Sequence, residues 1–452
     1  MNFFQRLLAV IFSRKPPQSN ILGTASGLSV PTESPHPPPA SAIQTTLPTI
    51  GARCPMISNQ GEIIGFEFRI GEDVQRRMNR RANHAAWTAY AHAVLSCAHL
   101  ISQSGRVGLA RLPAVCLAHL PSHQSVTGVW IAVDQTDDVA SDPALVQTVT
   151  EALQQLRTQG AKVSWDAKLV LALTPDFVWV RQDGQSMPVV LASLKSRPAT
   201  LLKLPDIITD IATFEDLEQA LHDGISYVCG GVALTGMFDD SKNVLPVSPE
   251  VGRIGHLLKL LSTGADTSVI VTGIKSDVGL SYRLLQRINS ANFAHLNAGA
   301  SIDQAVMMLG RSELYRWLSL MLFHFAGKRK VSSSLQEVAL WRARLLELLA
   351  IDRQEPAPAQ LFTLGMASMM SPILKISMAD VLSILHLHPS AEQALLGHSG
   401  PWYEYLQLVS LIEAQSLTDT SPVAESFGGI AHIVASADQA WDWARSAMDT
   451  SK

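Results

Sequence analysis

Beyond the segment NVLPVSPE, residues 243–250, the apolar residues of this chain change their spacing. Upstream, short apolar runs of strand length alternate with helical stretches; downstream, apolar residues recur every third or fourth position through one long segment after another. A chain patterned this way needs two cores, one assembled from βα units around a parallel or barrel-like sheet and one built from helices alone. Its 452 residues provide ample material for both.

In the upstream half, GEIIGFEFR (61–69) reads as a turn and strand, and Arg81 to Ser102 as an Ala- and His-rich helix. Further strands are predicted at Val107–Leu112, Val129–Val133, Lys162–Trp165, Phe177–Val180 and Val189–Leu191, with a helix from Asp142 to Thr158. Downstream, Leu314, Trp317, Leu318, Met321, Leu322 and Phe325 form one apolar stripe, with Ser312 in N-cap position after Gly310. Helices are also predicted over Leu335–Ala350, Leu361–Met370, Met378–Leu387 and Trp402–Ile412.

The first 48 residues belong to neither core. Phe3, Phe4, Leu7, Leu8, Ile11 and Phe12 fall on one face of a short helix, so residues 1–15 could lie against a partner or a membrane surface. Arg14 and Lys15 stand where a signal peptide would place small cleavage-site residues. From Pro16 to Pro48 the Pro, Ser and Thr content suits a linker. The predicted organisation is therefore 1–48 as a terminal segment and linker, 49–245 as an α/β domain and 246–445 as a helical domain.

Several function classes are disfavoured. A net charge of -4 argues against a dedicated nucleic-acid binder, and the chain lacks a P-loop, a dinucleotide fingerprint and a nucleophile elbow. Cys54, Cys97, Cys116 and Cys229 show no metal or redox spacing and suit a reducing compartment. Without an apolar run of transmembrane length, the expected location is cytoplasmic, with peripheral attachment at the inner membrane open to residues 1–15.

Some residues invite a functional role. The basic run RRMNRR supplies Arg76, Arg77, Arg80 and Arg81, which could meet phosphates, although a solvated face is the simpler account. GKRK (327–330) follows a long apolar helix whose carbonyl end favours cations. His222 and Asp223 precede Gly224 and read as a helix end; His386 and His388 likewise. His84, His92 and His99 are too widely spaced along one helix for a metal site.

The stretch LLKLLSTGADTSVIVTGIKSDVGLSYRLLQRINSANF, with SIDQAVMMLGRSELYRWLSLMLF and LLGHSGPWYEYLQLVSLIE after it, resembles the HDOD domain, a helical output module of bacterial signalling proteins. Upstream, Pro55 to Arg69 resembles the opening strand of EAL domains, the barrel-shaped phosphodiesterases of cyclic di-GMP. The resemblance implies an EAL-like (β/α) barrel followed by an HD-related helical domain.

Hydrolysis by that family requires two divalent metals held by carboxylates and an amide, with a base for water. Glu67 matches the motif glutamate and Asp166 the first acid of an Asp-Asp pair, whose second member is here Ala167. Ala110 or Arg111 stands at the metal-binding asparagine, Trp179 at the lysine, Thr209 near a later glutamate and Cys229 near the closing glutamine. Glu67 and Asp166 are thus expected as relics, Asp166 being held by backbone N–H groups or by Lys168. In the HDOD half, Ser368 and Met369 take the place of the His-Asp doublet that related phosphohydrolases use.

The expectation is a non-enzymatic signal-transduction protein that binds other signalling proteins and uses no cofactor or metal. The alternatives are a cyclic di-GMP receptor that does not hydrolyse its ligand and, least favoured, an active phosphodiesterase. Arg111 could contact phosphate in the receptor. Within SDVGLSYRLLQRINSANF, Leu280, Leu284 and Ile288 should pack inward, while Arg283 and Arg287 should lie nearer solvent, in ion pairs or against an acidic partner.

Overall fold

The computed structural model describes residues 53–69, 84–118, 120, 125–134, 143–230, 244–288, 301–325, 331–414 and 422–449. The amphipathic and linker residues 1–48, the RRMNRR run and GKRK lie outside the described residues.

The upstream half is an eight-stranded sheet in the order β5-β4-β3-β2-β1-β8-β7-β6. Its strands are β1 (Cys54–Ser58), β2 (Ile63–Phe68), β3 (Val107–Pro113), β4 (Trp130–Asp134), β5 (Lys162–Trp165), β6 (Val178–Arg181), β7 (Asp206–Ile211) and β8 (Tyr227–Gly230). β1 runs antiparallel to both neighbours, while β2 to β5 and β6 to β8 form two parallel runs. The two ends of the sheet meet across Asp176, whose backbone N–H donates to the Val163 carbonyl at 2.9 Å and whose carboxylate accepts from the Val163 N–H at 2.8 Å. The result is a nearly closed barrel. Around it lie α1 (His84–Gln103), α2 (Pro143–Thr158), α3 (Met187–Lys195) and α4 (Phe214–His222).

Alternation along the strands separates two sets of side chains. Ala110, Leu112, Ile131, Val133, Val163 and Ile208 join the layer shared with the helices. Met56, Leu109, Trp130, Ala132, Phe177, Trp179, Ile207 and Cys229 fill the barrel itself, with Trp130 stacked on Phe177 at 5.1 Å. This interior is packed solid, as barrel cores are.

The helical half contains α5 (Pro249–Ser262), α6 (Thr267–Lys275), α7 (Val278–Ile288), α8 (Ile302–Met321), α9 (Ser332–Asp352), α10 (Pro358–Ala367), α11 (Met378–Leu385), α12 (Pro389–Leu396), α13 (Tyr403–Glu413) and α14 (Ile430–Asp449). α9 is buried along nearly its whole length. It approaches α10 so closely that a Cβ on Gly365 would lie 2.7 Å from Ala343 backbone atoms. Among the described residues no helix is long and apolar enough to cross a membrane.

The two halves pack against each other. Arg106 pairs with Glu337 at 2.6 Å and Arg53 with Asp438 at 2.6 Å, and the Ser334 N–H donates to the Gly61 carbonyl at 3.0 Å.

One expectation needs correction. Val189–Leu191 belongs to α3, not to a strand, because a short apolar run lacks the periodicity to tell the two apart; Ser186 and Pro188 begin that helix. The apolar stripe from Leu314 lies on a helical segment that begins past Gly310, whose φ of 72° and ψ of 171° are not helical, so the predicted restart holds. What the spacing missed is the helical segment before it, capped by Ser301 with Gln304 in a capping box. The predicted helix ends hold: α4 stops at His222, His386 terminates α11 in a left-handed conformation, and His388 caps α12.

Candidate functional site

At the carboxyl ends of the parallel strands, inward alternation stops delivering apolar residues and delivers charge. On β3 the sequence Leu109, Ala110, Arg111 places Arg111 in the mouth and Ala110 toward the helices. β4 ends on Asp134, β6 ends on Arg181, and Asp166 directly follows β5. β2 contributes Glu67, only 1% exposed.

Arg111 is the centre of this arrangement. Its Nε donates to Asp134 Oδ2 at 2.6 Å, and its Nη1 donates to Asp210 Oδ2 at 2.9 Å and lies 3.6 Å from Glu67 Oε1. The guanidinium also sits 5.4 Å from the centre of the Trp179 ring. Arg69 pairs with Asp210 Oδ1, which Arg111 Nη1 also reaches at 3.0 Å. Arg181 lies 3.4 Å from Asp134 Oδ1 and 3.9 Å from Asp166 Oδ2. Glu67, Asp134, Asp166 and Asp210 are thus held by Arg69, Arg111 and Arg181.

Asp210 reaches the mouth through an irregularity. The pairing of β7 with β8 shifts between Ile208 and Ile211, and Asp210 adopts φ 60°. Aspartate tolerates this left-handed conformation better than most residues. The preceding residue, Thr209, faces inward and accepts a hydrogen bond from Trp179 Nε1 at 3.1 Å.

The electrostatics follow from burial and the three guanidinium groups. Burial pushes the Glu67 carboxyl upward, against Arg69 and Arg111. For Asp210 burial acts in the same direction, but Arg111 and Arg69 outweigh it and hold the group below the usual aspartate range. Burial pushes down on Arg111, yet Asp134, Glu67 and Asp210 raise it well above its ordinary value.

This donor set does not fit a divalent metal pair. Such ions need several carboxylate or carbonyl oxygens free to coordinate them, whereas the oxygens of Asp134 and Asp210 facing the centre accept hydrogen bonds from Arg111. Among the described residues no cluster of three or more His, Cys, Asp or Glu can hold a metal ion. Asp166 accepts from the Lys168 backbone N–H at 2.9 Å, so it is the amide of that residue and not its ammonium that secures the carboxylate. Cys229 lies in the barrel interior and Ala167 is exposed.

In the helical half, Ser368 caps α10 and Met369 is buried. Ser368 Oγ accepts from Arg342 Nη1 at 3.1 Å. Arg342, fully buried, also donates twice to Glu413 at 2.7 Å, and burial raises that carboxyl against the pull of Arg342. Leu280, Leu284 and Ile288 pack inward as predicted. Arg287 does not face solvent: it is 1% exposed, and burial lowers its guanidinium while Glu313 opposes the shift. At the carboxyl end of α7 it turns into the packing between helices instead of away from it. Arg283 is half-buried.

Sequence reasoning missed Arg69, Asp134, Arg181 and Asp210 as members of the mouth. A shared signal was available, since WIAVD, FVWVR and IITD each close an apolar strand with a charge.

Comparison with known proteins identifies a family in the downstream half. Residues 246–382 match the HDOD domain model, so the chain carries an HDOD domain behind its barrel. The chain is 32% identical over 212 residues to the uncharacterized protein YuxH of Bacillus subtilis, covering 46% of this chain and 50% of that protein. The match therefore spans half of that relative's length. It is also 23% identical over 391 residues to the cyclic di-GMP phosphodiesterase CdgJ of Vibrio cholerae, covering 82% of this chain and 86% of the relative. Among solved structures it is similar to an EAL domain protein from Listeria monocytogenes, at 13% identity and a TM-score of 0.31, over 41% of this chain and 87% of that one.

Proposed function

We propose that the chain is a non-enzymatic signal-transduction protein, in which a degenerate EAL-like barrel is coupled to an HDOD domain that binds another macromolecule. The observation that carries this reading is Arg111, whose guanidinium lies among the acids of the barrel mouth and bonds Asp134 and Asp210. A guanidinium supplies fixed charge but can neither activate a water nor act as a Lewis acid toward a phosphodiester as a divalent ion does. Trp179 and Thr209, which stand at the lysine and near the glutamate of the resembled family, bond each other and close the floor beneath it. In the HDOD half, Ser368 and Met369 engage Arg342 and the core, consistent with action through a surface.

The test is to titrate purified full-length protein with cyclic di-GMP, with and without Mg²⁺ or Mn²⁺, following binding heat and product together. No product is expected under either condition. Metal-dependent turnover that disappears in Glu67→Ala would overturn the proposal.

A second reading, a receptor that binds cyclic di-GMP without cutting it, draws on the name of the Vibrio relative and on the side chains of Arg69 and Arg181, 25% and 26% exposed at the mouth. Partly exposed arginines suit phosphate oxygens. Binding heat without product, indifferent to metal, would select it.

A further inference from the structure

We propose that the helical half carries a binding site for a small organic anion, a phosphate or carboxylate head joined to an apolar body, in the cleft between α8, α10 and the join of α11 to α12. The inference concerns this half alone and does not rest on the reading of the barrel.

The cleft encloses about 610 Å³, within the range of small-molecule sites. Leu261 of α5 and Ala391 of α12 are buried against it, and Leu387 adds apolar surface between α11 and α12. The Tyr315 hydroxyl donates to the Leu385 carbonyl and so ties α8 to the end of α11. The site is separate from the place of the missing His-Asp doublet. Gln360 and Thr363 line the cleft from the start of α10, whereas Ser368 lies past its last turn, about 12 Å further along the axis than Gln360.

The polar groups favour negative charge. Arg311 donates to the carbonyls of Leu260, Leu261 and Ala265 at 3.1, 3.0 and 2.8 Å. These bonds fix the guanidinium and use three of its five N–H groups, but the acceptors are neutral, so its charge is offset only by the partial charge at the end of α5. Arg316 is placed differently: its charge is matched by Glu347 at 2.9 Å, and it lies over the Phe362 ring at 3.7 Å as part of the wall. His388 accepts the Ser390 N–H at Nδ1, which puts the proton of its neutral ring on Nε2 as a donor. Its ring is held against Trp402, with centres 4.9 Å apart. Burial and the nearby Lys259 keep His386 below the ordinary histidine value, against Glu392, so this ring is also a neutral partner.

Glu392 is the one carboxylate among the described residues lining the cleft, and it is exposed. A fixed guanidinium and imidazole N–H donors suit a phosphate or carboxylate head. The apolar surface beside them suits the rest of an organic molecule and gives nothing to an inorganic ion.

The experiment titrates full-length protein by calorimetry with GMP, phenyl phosphate and benzoate, which separate a phosphate from a carboxylate head, and with inorganic phosphate and guanosine as the head and a body alone. At least one of the first three should bind with a Kd below about 1 mM, and more tightly than either comparator. Glu392→Gln should tighten that binding about two- to fivefold by removing a like charge, a gain that a merely structural role would not produce. Arg311→Gln, which keeps an N–H donor for the α5 carbonyls, should weaken it about tenfold. Ala359→Trp and Ser312→Trp, at exposed positions on two walls, should each obstruct the cleft; the second serves if the first does not fold. The proposal is overturned if none of the three organic anions binds, if inorganic phosphate binds as tightly as they do, if Glu392→Gln fails to tighten or Arg311→Gln to weaken the binding, or if neither tryptophan variant reduces it. A ligand held at the barrel mouth would ignore all four substitutions.

Discussion

Trp341 and Trp441 stack with their ring centres 4.8 Å apart and their planes 14° from parallel, and Trp441 also meets Phe66 of β2 in an edge contact at 4.9 Å. One indole therefore joins α9 of the HDOD half to the barrel strand that carries Glu67 on its opposite face. Replacing Trp441 with alanine should cost about 3–5 kcal/mol. Chemical denaturation should show the loss, and two transitions lying further apart in the variant than in the wild type would locate it at the contact between halves.

The mouth network predicts a definite pH dependence. Arg111 and Arg69 hold Asp210 below its ordinary value of 3.8, so its contribution to stability is full above that pH and is lost as pH falls through the depressed folded value. Asp210→Asn should flatten the acid limb of a stability profile measured from neutrality downward. An unchanged limb would show that the pairing carries no net stability.

Thr209→Val keeps the shape of the side chain and removes the acceptor of the buried Trp179 N–H. Leaving that donor unsatisfied should cost about 1–3 kcal/mol in equilibrium unfolding. Thr209→Ser, which retains an oxygen, should recover most of it.

Gly365→Ala tests how closely the HDOD helices approach. The added methyl would meet the Ala343 backbone at 2.7 Å, where no flexible side chain can move aside. A loss of about 1–3 kcal/mol is expected from overpacking. A neutral result would mean that α9 and α10 separate easily.

Arg287→Ala should destabilise the helical half, because the residue is buried and beside Glu313. Arg283→Ala, at a half-buried position of the same helix, should leave the melting temperature nearly unchanged and is the cleaner probe of partner capture.

The order of the two halves, most of the strands and the helix ends could be read from the sequence, because they depend on local spacing: period two in a strand, three to four in a helix, and turn-forming residues between them. The same spacing placed Leu280, Leu284 and Ile288 on the buried face of α7. Local spacing left Arg287 on the wrong side, since a helix packed by more than one neighbour buries more than one stripe. It also could not decide between Ala110 and Arg111, nor find Asp210, whose direction comes from a register shift in β7 rather than from alternation. Asp134, Arg181 and Glu67 lie far apart in the chain and become neighbours of Arg111 only when β2, β3, β4 and β6 bring their carboxyl ends to one rim. The sequence alone supplies a charge beside each of these apolar runs. Barrel closure decided that they would neutralise one another, because electrostatic energy depends on distance in space and on burial, and neither is a property of position along the chain.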